Sequence, residues 1–273
     1  MAQNLVATGS GRAVVAPLFR GYAFDLDGTV YLGDTLIEGA ADVVERLRVT
    51  GARVVFVTNK PLETSADYAA KLTRLGIPTA PADVISAVDA LIGYLGTNHP
   101  GARLLAVAEP LLISELQLAG FEVTTDPDET DVVVVSFDRT FDYDKLTRAY
   151  RAVNAGAVIV ATNPDPYCPT PDGGLPDCAA MLAAIEACTG ARAEAIVGKP
   201  SVHMAAAFLD RLGVPADAAV MVGDRLLTDV SMGLNAGMAT ALVLSGATTR
   251  EQLAGSPVNP TYVLDDLRGL LEH

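Results

Sequence analysis

Several kinds of residue pattern are missing from this chain, and each absence removes a class of function. No run of 18 consecutive apolar residues occurs, so no transmembrane helix is expected. Residues 1–19 mix Gly, Ser, Arg and Pro with short apolar pieces and lack the apolar stretch of a signal peptide. They are expected to be a frayed or loosely docked N-terminal tail. Positive charge is scarce: 19 Lys and Arg stand against 33 Asp and Glu, a net charge of −14. Nucleic acid and anionic membrane both need a basic footprint, so neither is expected as a partner. A small anionic ligand remains admissible where cations gather locally. Cysteine is limited to Cys168, Cys178 and Cys188, with no close C-x-x-C spacing. That reads as reduced thiols in a cytoplasmic protein, not a disulfide frame or a zinc site. His99, His203 and His273 are scattered, so a histidine-based metal cluster is not expected. Neither an internal repeat nor a low-complexity tract is present.

What is there is apolar and regular. Half of the 273 residues are hydrophobic, and a chain of this size buries roughly 70–75% of its unfolded surface. Apolar, β-branched runs alternate with helical spacing nearly throughout, which predicts an α/β fold with a parallel sheet. Strands are expected at 22–24, 54–57, 104–107, 132–136, 158–161, 195–197, 219–222, 239–244 and 262–264. Ala40, Val43, Val44 and Leu47 show the i, i+3, i+4, i+7 spacing of a helix that Gly51 stops. Further helices are expected near 64–75, 87–95, 110–119, 144–155, 177–188, 201–212, 229–235 and 265–271. The simplest organisation is a parallel-sheet core built from both ends of the chain, residues 20–85 and 179–273, with residues 86–178 inserted as a second α/β domain. The hinges fall near 84–87 and in the turn-rich segment 163–178.

Four places share one plan, an apolar strand ending in a polar cluster: Phe24-Asp25-Leu26-Asp27, Val57-Thr58-Asn59, Val197-Gly198-Lys199-Pro200 and Val222-Gly223-Asp224. Strand side chains alternate faces, so Asp25 and Asp27 leave the strand end pointing the same way. Gly28 lets the backbone turn sharply after them. Ligands of open parallel sheets bind outside the carboxyl ends of the strands. If the four strands are neighbours, three carboxylates, a hydroxyl, an amide and an ammonium meet in one crevice. Taken singly each motif has an ordinary reading: D-G marks turns, Thr58 and Asn59 suit a turn, Asp224 suits a helix cap, and Lys199 suits a solvated surface. Together and in this order they point to phosphoryl transfer.

Phosphate monoesters resist hydrolysis because ester and nucleophile are both anionic, and enzymes supply up to on the order of 25–30 kcal/mol. Asp25 is read as the nucleophile, forming an aspartyl-phosphate. Asp27 is read as the acid for the leaving oxygen and then the base that activates water. Mg²⁺ would bridge Asp25, the Asp27 main-chain carbonyl, Asp224 and the phosphate. The Thr58 hydroxyl, the Asn59 N–H and Gly28 would bind phosphate oxygens, and Lys199 would neutralise them. Asp229 is placed outside the ligand set, orienting metal-bound water.

The segments D-L-D-G-T, V-T-N, G-K-P and G-D-R-x-x-T-D resemble, in this order, the four motifs of the haloacid dehalogenase superfamily of aspartate-nucleophile phosphatases. The insert between the second and third motifs resembles that of the class IIA cap branch, as do A-T-N-P-D (161–165) and V-G-K-P-S (197–201). That branch includes nitrophenyl, sugar-phosphate, phosphoglycolate and pyridoxal phosphate phosphatases. The resemblance spans about residues 20–270. It implies a Rossmann-like core, a mobile cap, Mg²⁺ dependence and the roles above, with a small phosphorylated metabolite as substrate. Leu226-Leu227 departs from the pattern, since many relatives carry a polar residue there. A phosphotransferase or mutase using the same chemistry, a non-catalytic phospho-ligand-binding protein and a homodimer all stay open. Asp165, Tyr167 and Cys168 are candidates for choosing the substrate, beside the plain reading of a proline-rich hinge loop.

Overall fold

The structure, a computed structural model, describes residues 19–170 and 173–271. The expectation for the N-terminal tail therefore lies, up to residue 18, outside the described residues. Contacts divide the chain into two compact units. The first takes the chain through Thr58, then Ala66–Val84, and then everything from Phe208; the second takes Asn59–Ser65 and Ile85–Ala207.

The first unit is built on a sheet whose strands run in the order Tyr262–Leu264, Ala239–Val243, Ala219–Gly223, Gly21–Asp25, Arg53–Thr58, with the short Val84–Ser86 at the far edge. The pairings from Tyr262–Leu264 through Arg53–Thr58 are parallel. The central strands are continuous apolar runs because helices cover both faces of a parallel sheet. Tyr22, Phe24 and Phe56 pack in sequence across it, with ring centroids 6.1 and 6.2 Å apart. The helix Ala40–Val49 lays Ala40, Val43, Val44 and Leu47 into this core, the four positions its spacing predicts.

The second unit has its own five-stranded parallel sheet, ordered Ala195–Ile196, Val158–Ala161, Val132–Val135, Arg103–Val107, Glu122–Val123. The helices Tyr143–Ala155 and Cys178–Thr189 bury Ala149, Ala152, Cys178, Met181, Leu182 and Ile185 against it. These contacts correct the expected return to the core at residue 179. The apolar stripe of the helix that begins at Cys178 is satisfied by the second sheet, and the strand that follows pairs with Val160 and Ala161. In this division residues 179–207 fall in the second unit, whose long segment begins after Val84.

Two further differences have local causes. The segment 163–176, expected as hinge, contains an antiparallel hairpin, Tyr167–Thr170 with Gly173–Pro176. Its prolines argue against a central strand, but a two-stranded ribbon leaves outward N–H groups without ladder partners anyway. The helix expected at 229–235 begins earlier, as a π-helical turn Leu226–Val230 that passes into the α-helix Ser231–Asn235. None of the three cysteines is in a disulfide: Cys178 is buried, Cys168 half-buried and Cys188 exposed. Among the described residues no helix is long and apolar enough to cross a membrane.

Candidate active site

Register sets the first cluster. Asp25 is level with Val57 on one neighbouring strand, and Phe24 with Val222 on the other. Asp25, Thr58 and Asp224 therefore follow one another across the carboxyl end of three adjacent strands. Asp25 is 8% exposed, Asp224 2% and Asp229 0%. Each offers a carboxylate oxygen within 4.8 Å of the others. Three buried carboxylates at this separation repel strongly unless a cation lies among them. Hard oxygen donors in this number suit a divalent ion such as Mg²⁺.

Asp229 stands nearer than expected. The sequence reading placed it outside the ligand set, one turn beyond Asp224, yet its carboxylate joins the group directly. The cause is the π turn, within which the Arg225 N–H donates to Asp229 Oδ2 at 3.1 Å. Gly223 is also required, because a Cβ there would collide with the Asp229 side chain. Single π turns are frequent at functional sites. The Asp27 carboxylate is not in the group; Asp27 is half-buried, and its backbone bridges to Tyr31.

Asp224 is held by a loop that the motif reading passed over. The Ala247 N–H donates to Asp224 Oδ2 at 2.6 Å, and the Thr248 N–H to its carbonyl at 3.2 Å. The Ser245 hydroxyl donates to the Gly28 carbonyl at 3.0 Å. A Cβ on either Gly28 or Gly246 would run into Asp224 Oδ2. Gly28 also needs its freedom for another reason, since its φ is +87°. The available signal was a Ser-Gly pair directly after the apolar strand Ala239–Val243, the same strand-then-small-residue plan as the recognised motifs.

The second unit gathers the remaining motif residues, apart from Thr58. The four motif strands do not all share one sheet. The strand leading to Lys199 is an edge of the second sheet, because its backbone pairs with the strand Val158–Ala161. Asn59 and Lys199 lie in this unit, and Lys199 is 4% exposed. The Lys199 N–H donates to Asn59 Oδ1 at 2.7 Å, and Asn59 Nδ2 donates to the Lys199 carbonyl at 3.1 Å. Asn59 Nδ2 also donates to Asp165 Oδ2 at 3.0 Å. Asp177 lies next to this knot. Burial pushes its carboxyl up to about 6, helped by the charge of Asp165 and opposed by the Cys178 N–H, Asn163 and Lys60. Tyr167 is exposed on the hairpin with its ring against Gly174, and Cys168 follows it half-buried.

The family described as haloacid dehalogenase-like hydrolase matches residues 22–122, and a second description, HAD-hydrolase-like, matches 196–270. The chain is 37% identical over 248 residues to the sugar-phosphatase AraL of Bacillus subtilis, covering 91% of this chain and 90% of that one. It is 33% identical to an acid sugar phosphatase of Staphylococcus epidermidis, covering 91% and 95%. Among solved structures it is similar to a 4-nitrophenylphosphatase from Thermotoga maritima, with TM-score 0.87, 34% identity and coverage of 93% and 97%. A p-nitrophenyl phosphatase from Archaeoglobus fulgidus gives TM-score 0.89, 32% identity and coverage of 94% and 99%.

Proposed function

The chain belongs to the haloacid dehalogenase-like hydrolases, and from that premise we propose that it hydrolyses phosphomonoesters, sugar phosphates foremost, through an aspartyl-phosphate on Asp25. The observation that carries this reading is the trio of buried carboxylates, Asp25 and Asp224 at the ends of adjacent strands and Asp229 in the turn that follows the second. Similarity to two sugar phosphatases over nine-tenths of the chain supports the substrate class.

Phosphatases of this family generally need a divalent metal, and the donor set here fits one. Asp25, Asp224 and Asp229 would hold Mg²⁺, with the Asp27 carbonyl as a further oxygen. Bound there, the ion supplies positive charge that neutralises the phosphoryl oxygens. The chain's own residues do the rest. One oxygen of Asp25 attacks phosphorus, so a P–O bond forms as the ester P–O bond breaks. Asp27 gives a proton to the departing alkoxide, then takes one from the water that attacks the aspartyl-phosphate. That second displacement releases inorganic phosphate and restores Asp25. The Thr58 hydroxyl and the Asn59 N–H donate to phosphoryl oxygens, and the Lys199 ammonium balances their charge.

Turnover of p-nitrophenyl phosphate tests the assignment. Asp25→Asn keeps shape and hydrogen bonding but is a poor nucleophile, so kcat should fall by ~10³-fold or more with an unchanged circular dichroism spectrum. Chelation should silence the wild type and Mg²⁺ should restore it. A fully active Asp25→Asn variant would remove the nucleophile, and indifference to chelator would remove the metal.

A further inference from the structure

Three hydrogen bonds around Asn59 carry more than the phosphate contact assigned to its main chain. We propose that the Asn59 side chain is a positioning residue for Lys199, and that Asp165 acts through Asn59 instead of touching substrate. The inference rests on the phosphatase reading and concerns the same reaction.

The arrangement starts at the edge of the second sheet. The Val197 N–H donates to the Ala161 carbonyl at 2.9 Å, and the Gly198 N–H to Thr162 at 2.7 Å. At Lys199 this ladder stops, and the next N–H turns to Asn59 Oδ1. The Lys199 carbonyl is taken by Asn59 Nδ2, so one carboxamide satisfies both main-chain groups of one residue. It replaces a neighbouring strand for the length of a single residue. A carboxamide suits this because its acceptor oxygen and its donor nitrogen sit side by side on one uncharged planar group. Pro200 has no N–H, so the chain offers no further rung beyond Lys199.

The approach is close enough to dictate the neighbour. A Cβ on Gly198 would overlap the Thr162 carbonyl and come within 2.8 Å of Asn59 Oδ1. Asp165 then fixes which way the carboxamide faces. Its carboxylate accepts from Nδ2, which forces Oδ1 toward the Lys199 N–H. Asp165 is itself held at both main-chain groups: its N–H donates to Asn163 Oδ1 at 3.0 Å, and its carbonyl accepts from the Ala179 N–H at 3.1 Å. Asn163 Nδ2 meanwhile reaches the Asn59 carbonyl at 3.4 Å. The Asn-Pro-Asp stretch at 163–165 thus wraps the residue that follows Thr58. A lysine side chain is long and rotatable, so the position of its ammonium depends on how firmly its main chain is held.

A double-mutant cycle on the full chain tests this, with p-nitrophenyl phosphate as substrate and inorganic phosphate as competitive inhibitor. Asn59→Ala should lower kcat ~10²-fold, the cost of a misplaced catalytic group, and weaken inhibition by phosphate. In a Lys199→Ala background the same substitution should change kcat less than about twofold, because the residue it positions is gone. If Asn59 merely supports the fold, its effect persists undiminished in that background, and the proposal fails. Asn59→Asp serves where Asn59→Ala does not fold; it should lose activity by facing Asp165 with a second carboxylate. Combining it with Asp165→Asn restores one donor opposite one acceptor and should recover at least ~10-fold in kcat. Absence of recovery would overturn the role given to Asp165. A wild type that releases no phosphate from any monoester would instead bring down the phosphatase reading, and the positioning role with it.

Discussion

Asp177 shows how one buried residue can make stability depend on pH. It caps the helix Cys178–Thr189, accepting the Cys178 N–H at 2.6 Å. Burial raises its carboxyl to about 6, well above the ordinary carboxylate value, so the folded state favours the protonated form. Its contribution is therefore fully present below about pH 4 and is lost as pH rises through about 6. Asp177→Asn keeps a good helix cap and cannot ionise. It should stabilise the protein on the order of 2 kcal/mol above pH 6.5, with no gain at pH 4. Thermal melts across that range check it; a gain independent of pH would show that the cause lies elsewhere. At this scale the sequence was legible where a residue's place follows from its neighbours in the chain, as with Asp25 at the end of its strand before Gly28. It was not legible for Asp229, whose place depends on the extra residue in the π turn and on the space left by Gly223. Periodicity at 3.6 residues per turn has no term for such a turn.

Among elements, the loop after the strand Ala239–Val243 has the most to do for its length. Its Gly246 backbone and its Ala247 N–H confine one oxygen of Asp224, and Ser245 ties the loop to Gly28. Gly246→Ala should push the Asp224 carboxylate away from Asp25 and Asp229 while the sheet stays intact. Affinity for Mg²⁺, measured by calorimetric titration, should fall ~10–100-fold, as when the support of a metal ligand is removed. Unchanged affinity would mean that the loop is filler. Most strands and helices were readable in advance, because continuous β-branched runs and i, i+3, i+4 spacing are properties of local sequence. Sheet membership was not. The strand Ala195–Ile196 precedes Gly-Lys-Pro as the strand Ala219–Gly223 precedes Asp224, and nothing in either run says which sheet it will join. Pairing with Val160 and Ala161 decides that, from some 35 residues away. The hairpin at 167–176 was hidden for the opposite reason, since its prolines and glycines are the residues that usually mark a loop.

The molecule as a whole carries a net charge of −14 and concentrates three carboxylates in one dry place. Folding without a cation must bring those charges together, so a divalent ion that binds only the native form should stabilise it. At a Mg²⁺ concentration 100-fold above its dissociation constant the gain is about 2.7 kcal/mol. The melting temperature should therefore rise with added Mg²⁺ and fall with chelator. Asp224→Asn should flatten that response and also start from a higher value without metal, because one of the repelling charges is gone. A melting temperature indifferent to Mg²⁺ in the wild type would speak against an ion among these side chains.

The division of the chain into two units sets a limit of another kind. The second unit is made of Asn59–Ser65 and Ile85–Ala207, both enclosed in sequence by pieces of the first, so the backbone passes between the units four times. One passage is the bond from Thr58 to Asn59. Thr58 ends a strand of one sheet, and Asn59 braces the edge of the other. A polypeptide threaded in this way cannot be recombined like beads on a string. No single crossover between related genes exchanges one body and leaves the other whole; that exchange takes a crossover at each of the four passages.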